Sequence, residues 1–186
     1  MMLDVKPHNT AIARSMLSRP TWEFVTRGLI SESESVLDYG CGWGADVQLL
    51  AQRGFRISGY DPHPAFKFPE PVGQLFDTVM SNYVVNVILT PAARAEMVLK
   101  AWGFVHPGGR LILSARSRHD VNTAARTSGW GRLGDGWRVT QHTFQVGLDV
   151  PDLVRLGMMA GIGAEHVGRL EFKHCDASAI QLRKAP

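Results

Sequence analysis

Apolar positions along this chain fall in short bursts, and the spacing within each burst separates strands from helices. Residues 36–39 read as a strand whose short apolar run ends in the acid Asp38, and residues 45–53 then follow helical spacing, closed by Gly54 where a helix favours glycine. Residues 55–60 read as a second strand ending in Asp61-Pro62, and 76–81 and 111–115 as buried strands. Between them, Thr90-Pro91 caps a helix carrying Met97, Val98 and Trp102, and His106-Pro107-Gly108-Gly109 reads as a turn. Val150-Pro151 opens a last helix that stops at Gly161, and strands near 164–170 and 179–183 complete the sheet.

The flanks are less regular. Residues 1–9 read as a loose lead-in, and Thr10 as the cap of a short helix carrying Ile12, Met16 and Leu17. Ser18 and Pro20 start a further helix with Trp22, Val25 and Leu29 on one side, followed by an acidic turn over 31–35. Residues 62–75 show no element, only prolines and single aromatics. Residues 116–136 are rich in glycine, arginine and serine and read as a long mobile loop, and 137–146 as a strand or hairpin. Strands alternating with helices predict an α/β domain with a mainly parallel sheet. Its ligand belongs at the carboxyl ends of the strands, where Gly40, Asp61 and Asn82 fall.

A chain of 186 residues is one domain's worth, 1–186, with 1–30 as a helical cap and 116–146 arching over the site. Apolar residues at 45% and charged residues at 20% are ordinary for a globular protein. A net charge of +3 is too small to require nucleic acid, although a pI near 9.1 allows it. Cys41 and Cys175 are far apart and form no C-x-x-C pair, so neither a metal site nor a disulfide framework is expected. The N-terminus has no apolar core of signal-peptide length and no run reaches membrane-span length. A cytoplasmic location is therefore expected.

The chemistry centres on V-L-D-Y-G-C-G-W-G-A-D at 36–46. Alternating glycines let the backbone turn tightly and approach a nucleotide-like ligand. Gly40-x-Gly42-x-x-Ala45 fits a dinucleotide fingerprint, with Asp61 where a ribose-binding acid is expected, so a nicotinamide-dependent oxidoreductase is one reading. Asp38 argues against it, because a carboxylate beside a pyrophosphate is unfavourable. An acid there suits the sulfonium and ammonium of S-adenosylmethionine, with Asp61 accepting from the two ribose hydroxyls.

The successive words D-Y-G-C-G-W-G at 38–44, G-Y-D-P-H at 59–63, F-D-T-V-M-S-N at 76–82 and H-P-G-G-R-L-I-L at 106–113 resemble the motifs of class I S-adenosylmethionine-dependent methyltransferases. The resemblance spans 36–183. It implies a Rossmann-like, mainly parallel seven-stranded sheet flanked by helices. Only 15 residues separate Asp61 from Asp77, so the third strand is short or absent. A narrower resemblance, to methyltransferases associated with DNA phosphorothioation gene clusters, rests on T-A-I-A-R-S-x-L-S-R-P at 10–20, N-Y-V-V-N-V-I at 82–88, P-A-A-R-A-E at 91–96 and T-F-Q at 143–145. Carried over, Asp38, Gly40 and Gly42 hold the methionine part of the cofactor and Asp61 the ribose. Pro62 and His63 border the adenine, Cys41 sits beneath the turn, and Phe66, Phe68 or Leu75 supplies an apolar wall.

Methyl transfer from a sulfonium needs alignment first and a base only where the acceptor must lose a proton. Asn82, Tyr83 and Asn86 lie where the methyl group emerges. Amino-directed DNA methyltransferases carry prolines at this point, and this chain has none. His142 is the candidate base, since only it titrates near neutrality there. Gln145 is a candidate acceptor contact. Residues 110–138 hold six arginines and two acids with Trp130 and Trp137 interleaved, which suits a nucleic acid or a phosphorylated small molecule as acceptor. Arg14 and Arg19 can cover the cofactor or bind its carboxylate. The alternative to an enzyme is a binding module that keeps the cofactor fold.

Overall fold

A computed structural model describes residues 4–163, 167–170, 172 and 176–186. Its central sheet has six strands among these residues: β1 (Ser35–Tyr39), β2 (Arg56–Tyr60), β3 (Phe76–Asn82), β4 (Val105–Arg116), β8 (Val167–Leu170) and β9 (Ala177–Arg183). The strand order is β2-β1-β3-β4-β9-β8, parallel except for β9, which runs against both neighbours. The chain between Asp61 and β3 contributes one 3-10 turn, Pro64–Phe66, and no strand. The expected third strand of the family sheet is thus missing, as the short spacing requires. Cys175 and the first three residues of the expected strand 164–170 lie outside the described residues.

Register divides the core into two faces. Leu37, Val79 and Leu111 share one row. They belong to the larger cluster, with Val98 of α3 (Pro91–Gly103) and Leu153 of α5 (Val150–Met159). Val36, Met80 and Ile112 point the opposite way, with Phe24 of α1 (Arg19–Thr26) and Leu50 of α2 (Ala45–Ala51). Strand side chains alternate, so Asp38 falls on the α1–α2 face, two residues beyond Val36. That parity matters for the site.

Three expectations fail for identifiable reasons. Residues 11–17 form no helix. A single 3-10 turn, Pro7–Thr10, precedes them, the Thr10 hydroxyl donates back to the Pro7 carbonyl, and Ile12 and Met16 stay exposed. The turn expected at 106–109 is absorbed into β4, at an irregularity in its pairing with β3, with Gly108 at φ +83°. The stretch 116–136 is not a mobile loop. Ser117 caps α4 (Arg118–Ser128) by accepting from the Asp120 amide, Val121 and Ala125 bury one face, and Gly129 ends it at φ +65°. Two buried positions four apart were too few to stand out against the surrounding arginines.

Beyond α4, β5 (Gly131–Leu133), β6 (Gly136–Arg138) and β7 (Phe144–Gln145) form a small antiparallel sheet. It is fastened by Arg94 of α3, whose buried guanidinium donates to the Ile88 and Leu89 carbonyls and to both oxygens of Asp135.

Candidate functional site

The carboxyl ends of β1 to β4 open onto a cavity of about 850 Å³. Its floor is the turn after β1, where Gly40, Gly42 and Gly44 all hold positive φ. Two of these positions tolerate no side chain. A Cβ on Gly40 would come within 2.4 Å of Val84, and one on Gly44 within 2.2 Å of the Phe68 ring. The roof is residues 7–18, a strap without regular structure after its first turn, lying so close that a Cβ on Gly42 would sit 3.2 Å from Ala11.

The strap is latched at both ends. At one, His8 stacks on His63, ring centroids 3.6 Å apart and planes 18° from parallel. Desolvation and the neighbouring His63 hold the His8 imidazole below its ordinary pKa. At the other, Asp46 of α2 is almost fully buried. It accepts from the Ser18 amide at 2.7 Å, the Ser18 hydroxyl at 2.6 Å, the Thr21 hydroxyl at 2.8 Å and Arg14 at 3.2 Å. Thr21 in turn accepts from the Asn82 amide at 2.9 Å, and the Ser114 hydroxyl donates to the Asn82 carbonyl at 2.7 Å. The Asn82 head group is therefore fixed from two sides.

The amides of the glycine turn are largely consumed within the protein. Those of Gly40 and Cys41 donate to the Tyr60 carbonyl, that of Gly44 to the Cys41 carbonyl, and that of Gly42 to Asp61 at 2.9 Å. Asp61 also accepts from the His63 amide at 2.9 Å. A carboxylate offers about four lone-pair sites, so two remain for a ligand. Asp38 lies buried behind the turn. Burial, and then the nearby Asp46 carboxylate, push its carboxyl well above the ordinary range, while the Arg14 guanidinium opposes them. Burial likewise raises the Cys41 thiol, which leaves it un-ionised and inert.

Gly40, Cys41, Gly42, Asp61, Pro62, His63, Asn82, Tyr83 and Gln145 all face the cavity. Tyr83 holds φ +62°, a strained position for a bulky side chain, directly after β3. The other candidates lie elsewhere. Asn86 is fully buried and ties the ends of two strands together, donating to the Val146 carbonyl and accepting from the Arg116 amide. His142 is partly buried on the turn between β6 and β7, its ring against the Asp4 carbonyl, and does not line the cavity. Of the apolar wall, Phe66 lines the cavity, Phe68 fills the space behind the turn, and Leu75 is half exposed.

Sequence reasoning overlooked the pair on the acceptor side, Arg116 and Asp120, joined at 2.6 Å and both lining the cavity. Their i, i+4 spacing was visible, but the stretch read as loop rather than helix. The expected basic surface is also largely committed elsewhere. Arg110 pairs with Glu34, Arg118 with Asp149 and Asp152, and Arg132 lies over Trp137. Among the described residues no group of three His, Cys, Asp or Glu side chains gathers to hold a metal ion, and no helix is long and apolar enough to cross a membrane.

The sequence profile of the methyltransferase domain family matches residues 13–150, well over half of the chain. The chain belongs to this family. Curated protein sequences contain no match to it. Solved structures share the fold at low identity. An S-adenosylmethionine-dependent methyltransferase from Clostridium acetobutylicum superposes with a TM-score of 0.61 at 10% identity, covering 91% of this chain and 93% of that one. An amino pentose methyltransferase from Micromonospora echinaspora, solved with bound cofactor, gives 0.60 at 15% identity over 93% and 100%. A 1,6-didemethyltoxoflavin-N1-methyltransferase from Burkholderia thailandensis, solved with 1,6-didemethyltoxoflavin and S-adenosylhomocysteine, gives 0.60 at 18% over 90% and 78%. The mainly parallel α/β sheet of this methyltransferase domain is therefore the Rossmann-like class I architecture.

Proposed function

We propose that this methyltransferase domain passes the methyl group of S-adenosylmethionine to a small-molecule acceptor held between the strap and the ends of β3 and β4. The observation that carries the cofactor reading is the electrostatic character of the glycine turn. Four of its amides are already bonded within the protein, and two acidic side chains, Asp38 and Asp46, stand behind it. A pyrophosphate would meet spent donors and negative charge there, which disfavours a nicotinamide dinucleotide. A sulfonium and an ammonium are attracted.

The bound cofactor supplies an activated methyl group, so transfer forms one bond to the methyl carbon as the carbon–sulfur bond breaks and sulfur keeps the electron pair. The residues of this chain align the partners. Asp61 is placed for the ribose hydroxyls, and Asn82, locked by Thr21 and Ser114, marks the boundary between cofactor and acceptor. Gln145, Arg116 and Asp120 face the acceptor end with both donors and acceptors. A roofed cavity of about 850 Å³ suits a small molecule, and the 1,6-didemethyltoxoflavin and amino pentose methyltransferases that share the fold are named for such acceptors.

Incubation with methyl-labelled cofactor and separate pools of metabolites, RNA and DNA tests the acceptor. Label is expected in the metabolite fraction, and label confined to nucleic acid would overturn the small-molecule reading. Asp61→Ala is expected to weaken cofactor binding by about 1–3 kcal/mol, the usual cost of leaving polar partners unpaired. Unchanged affinity on calorimetric titration would remove Asp61 from the ribose site.

The narrower likeness to phosphorothioation-associated methyltransferases supports a second reading, in which the acceptor belongs to that DNA-modification chemistry. Its shared words fall on Arg14, Ser18, Asn82, Arg94 and Phe144, which build the roof, the Asn82 lock and the Arg94 clamp. They describe the container more than the acceptor. Sulfur-modification genes beside this one in its genome are the expected observation for that reading.

A further inference from the structure

S-Adenosylmethionine ends in a zwitterion, an ammonium beside a carboxylate, and the glycine turn offers the second of these little. With four turn amides bonded internally and α2 only seven residues long, the cofactor's carboxylate needs a donor from another element. Resting on the cofactor reading above, we infer that Arg14, reaching down from the strap, is the anchor for that carboxylate.

Asp46 does not need Arg14. Its carboxylate already accepts three shorter bonds, at 2.6, 2.7 and 2.8 Å from Ser18 and Thr21, against 3.2 Å from Arg14. Asp46 is 2% exposed, whereas Arg14 keeps 34% of its side chain exposed and lines the cavity. One N–H of its five is engaged with Asp46, which leaves a planar fork of donors for a carboxylate. The strap rests against Gly42 through Ala11, and the guanidinium of Arg14 is held at Asp46, in the first turn of α2. Its field also reaches Asp38 and favours the ionised carboxylate there. The site therefore sets a cation, Arg14, beside the acids Asp46 and Asp38, so both charges of an amino acid find a partner there. Asp46 acts as the pivot that aims Arg14, and the carboxylate of the ligand takes the free edge of the guanidinium.

Calorimetric titration of the full chain with two ligands tests this: S-adenosylmethionine, and its decarboxylated analogue, which keeps the sulfonium and amine but lacks the carboxylate. The native chain is expected to prefer S-adenosylmethionine by about tenfold or more, the effect of a charge-assisted bond. Arg14→Ala and the neutral donor variant Arg14→Gln are both expected to lose that preference, with the affinity for the analogue unchanged within about twofold. Arg19→Ala, which alters the arginine at the start of α1 that also lines the cavity, is expected to keep the preference. A parallel loss for both ligands in Arg14→Ala would overturn the anchor in favour of a role in holding the strap. So would unchanged S-adenosylmethionine affinity, or a preference that disappears in Arg19→Ala instead. A native chain that binds neither ligand would overturn the cofactor reading itself, a separate failure.

Discussion

Asp135→Ala is expected to lower the stability of the fold by about 3 kcal/mol. Its carboxylate is the counter-ion of Arg94, whose side chain is 2% exposed, with bonds of 2.5 and 2.9 Å to the two Asp135 oxygens. Removing the acid strands a charge that cannot hydrate, which is the costly way to break a buried pair. The low end of that cost applies because Asp135 is itself 44% exposed, so water screens it in the native chain. For a domain of this size the melting temperature should fall by roughly 6–12 °C.

The acid limb of the stability profile reports the same contact. Hydrogen bonding to the Arg94 guanidinium holds the Asp135 carboxyl below its ordinary pKa, against the effect of its own burial. A lowered carboxyl stabilises the fold above its unfolded pKa, and that contribution fades as pH falls through the folded value. Native chain and variant should therefore differ most near neutrality and converge in acid. Urea melts at about pH 7 and about pH 3 measure this, and equal stability at both would show that Arg94 is neutralised elsewhere. The site would register the loss too, since Arg94 also holds the carbonyl of Ile88, a residue of the cavity wall.

Much of this architecture was legible in the sequence because it rests on local rules. Ser18, Thr90 and the glycine turn announced their helices and strand ends, and Val36, Phe76 and Leu111 opened runs apolar enough for a buried parallel sheet. What escaped was held by contacts distant in sequence. The strap stays unwound because the amide and hydroxyl of Ser18 satisfy Asp46, 28 residues away, which holds the segment more firmly than a short isolated helix would. Asn86 looked like an acceptor contact because it follows β3, but its amide spans 60 residues to Val146 and is spent there. His142 was selected by its titration range alone, and no feature of a hairpin sequence shows which side of the domain its tip faces. The turn itself was found for its glycines. What decides its ligand, the commitment of its amides to Tyr60 and Asp61, depends on the pairing of β1 with β2 and lay beyond sequence reach.

Asp38→Asn should make the protein more stable and less able to hold its cofactor. Asp38 is 4% exposed, with Asp46 close by, and its raised pKa means that ionisation costs the fold free energy. A carboxyl raised in the folded state stabilises fully below its unfolded pKa, and that contribution is lost as pH rises through the folded value. The amide carries no such charge, so thermal melts of the ligand-free proteins should favour the variant increasingly as pH rises. Cofactor binding should run in the opposite direction. The ammonium and sulfonium attract the ionised form, so the native chain should bind S-adenosylmethionine more tightly as pH climbs through the Asp38 transition, and the variant should lack that slope. At pH above the transition the variant should bind about 1.5–3 kcal/mol more weakly, roughly 10–150-fold in Kd, the range for bonds to charged groups. Titration over a pH range that brackets the transition measures both slopes. A variant that keeps native affinity, or a native chain whose affinity is flat across that range, would remove Asp38 from the cofactor site and leave its burial without a function to offset the cost.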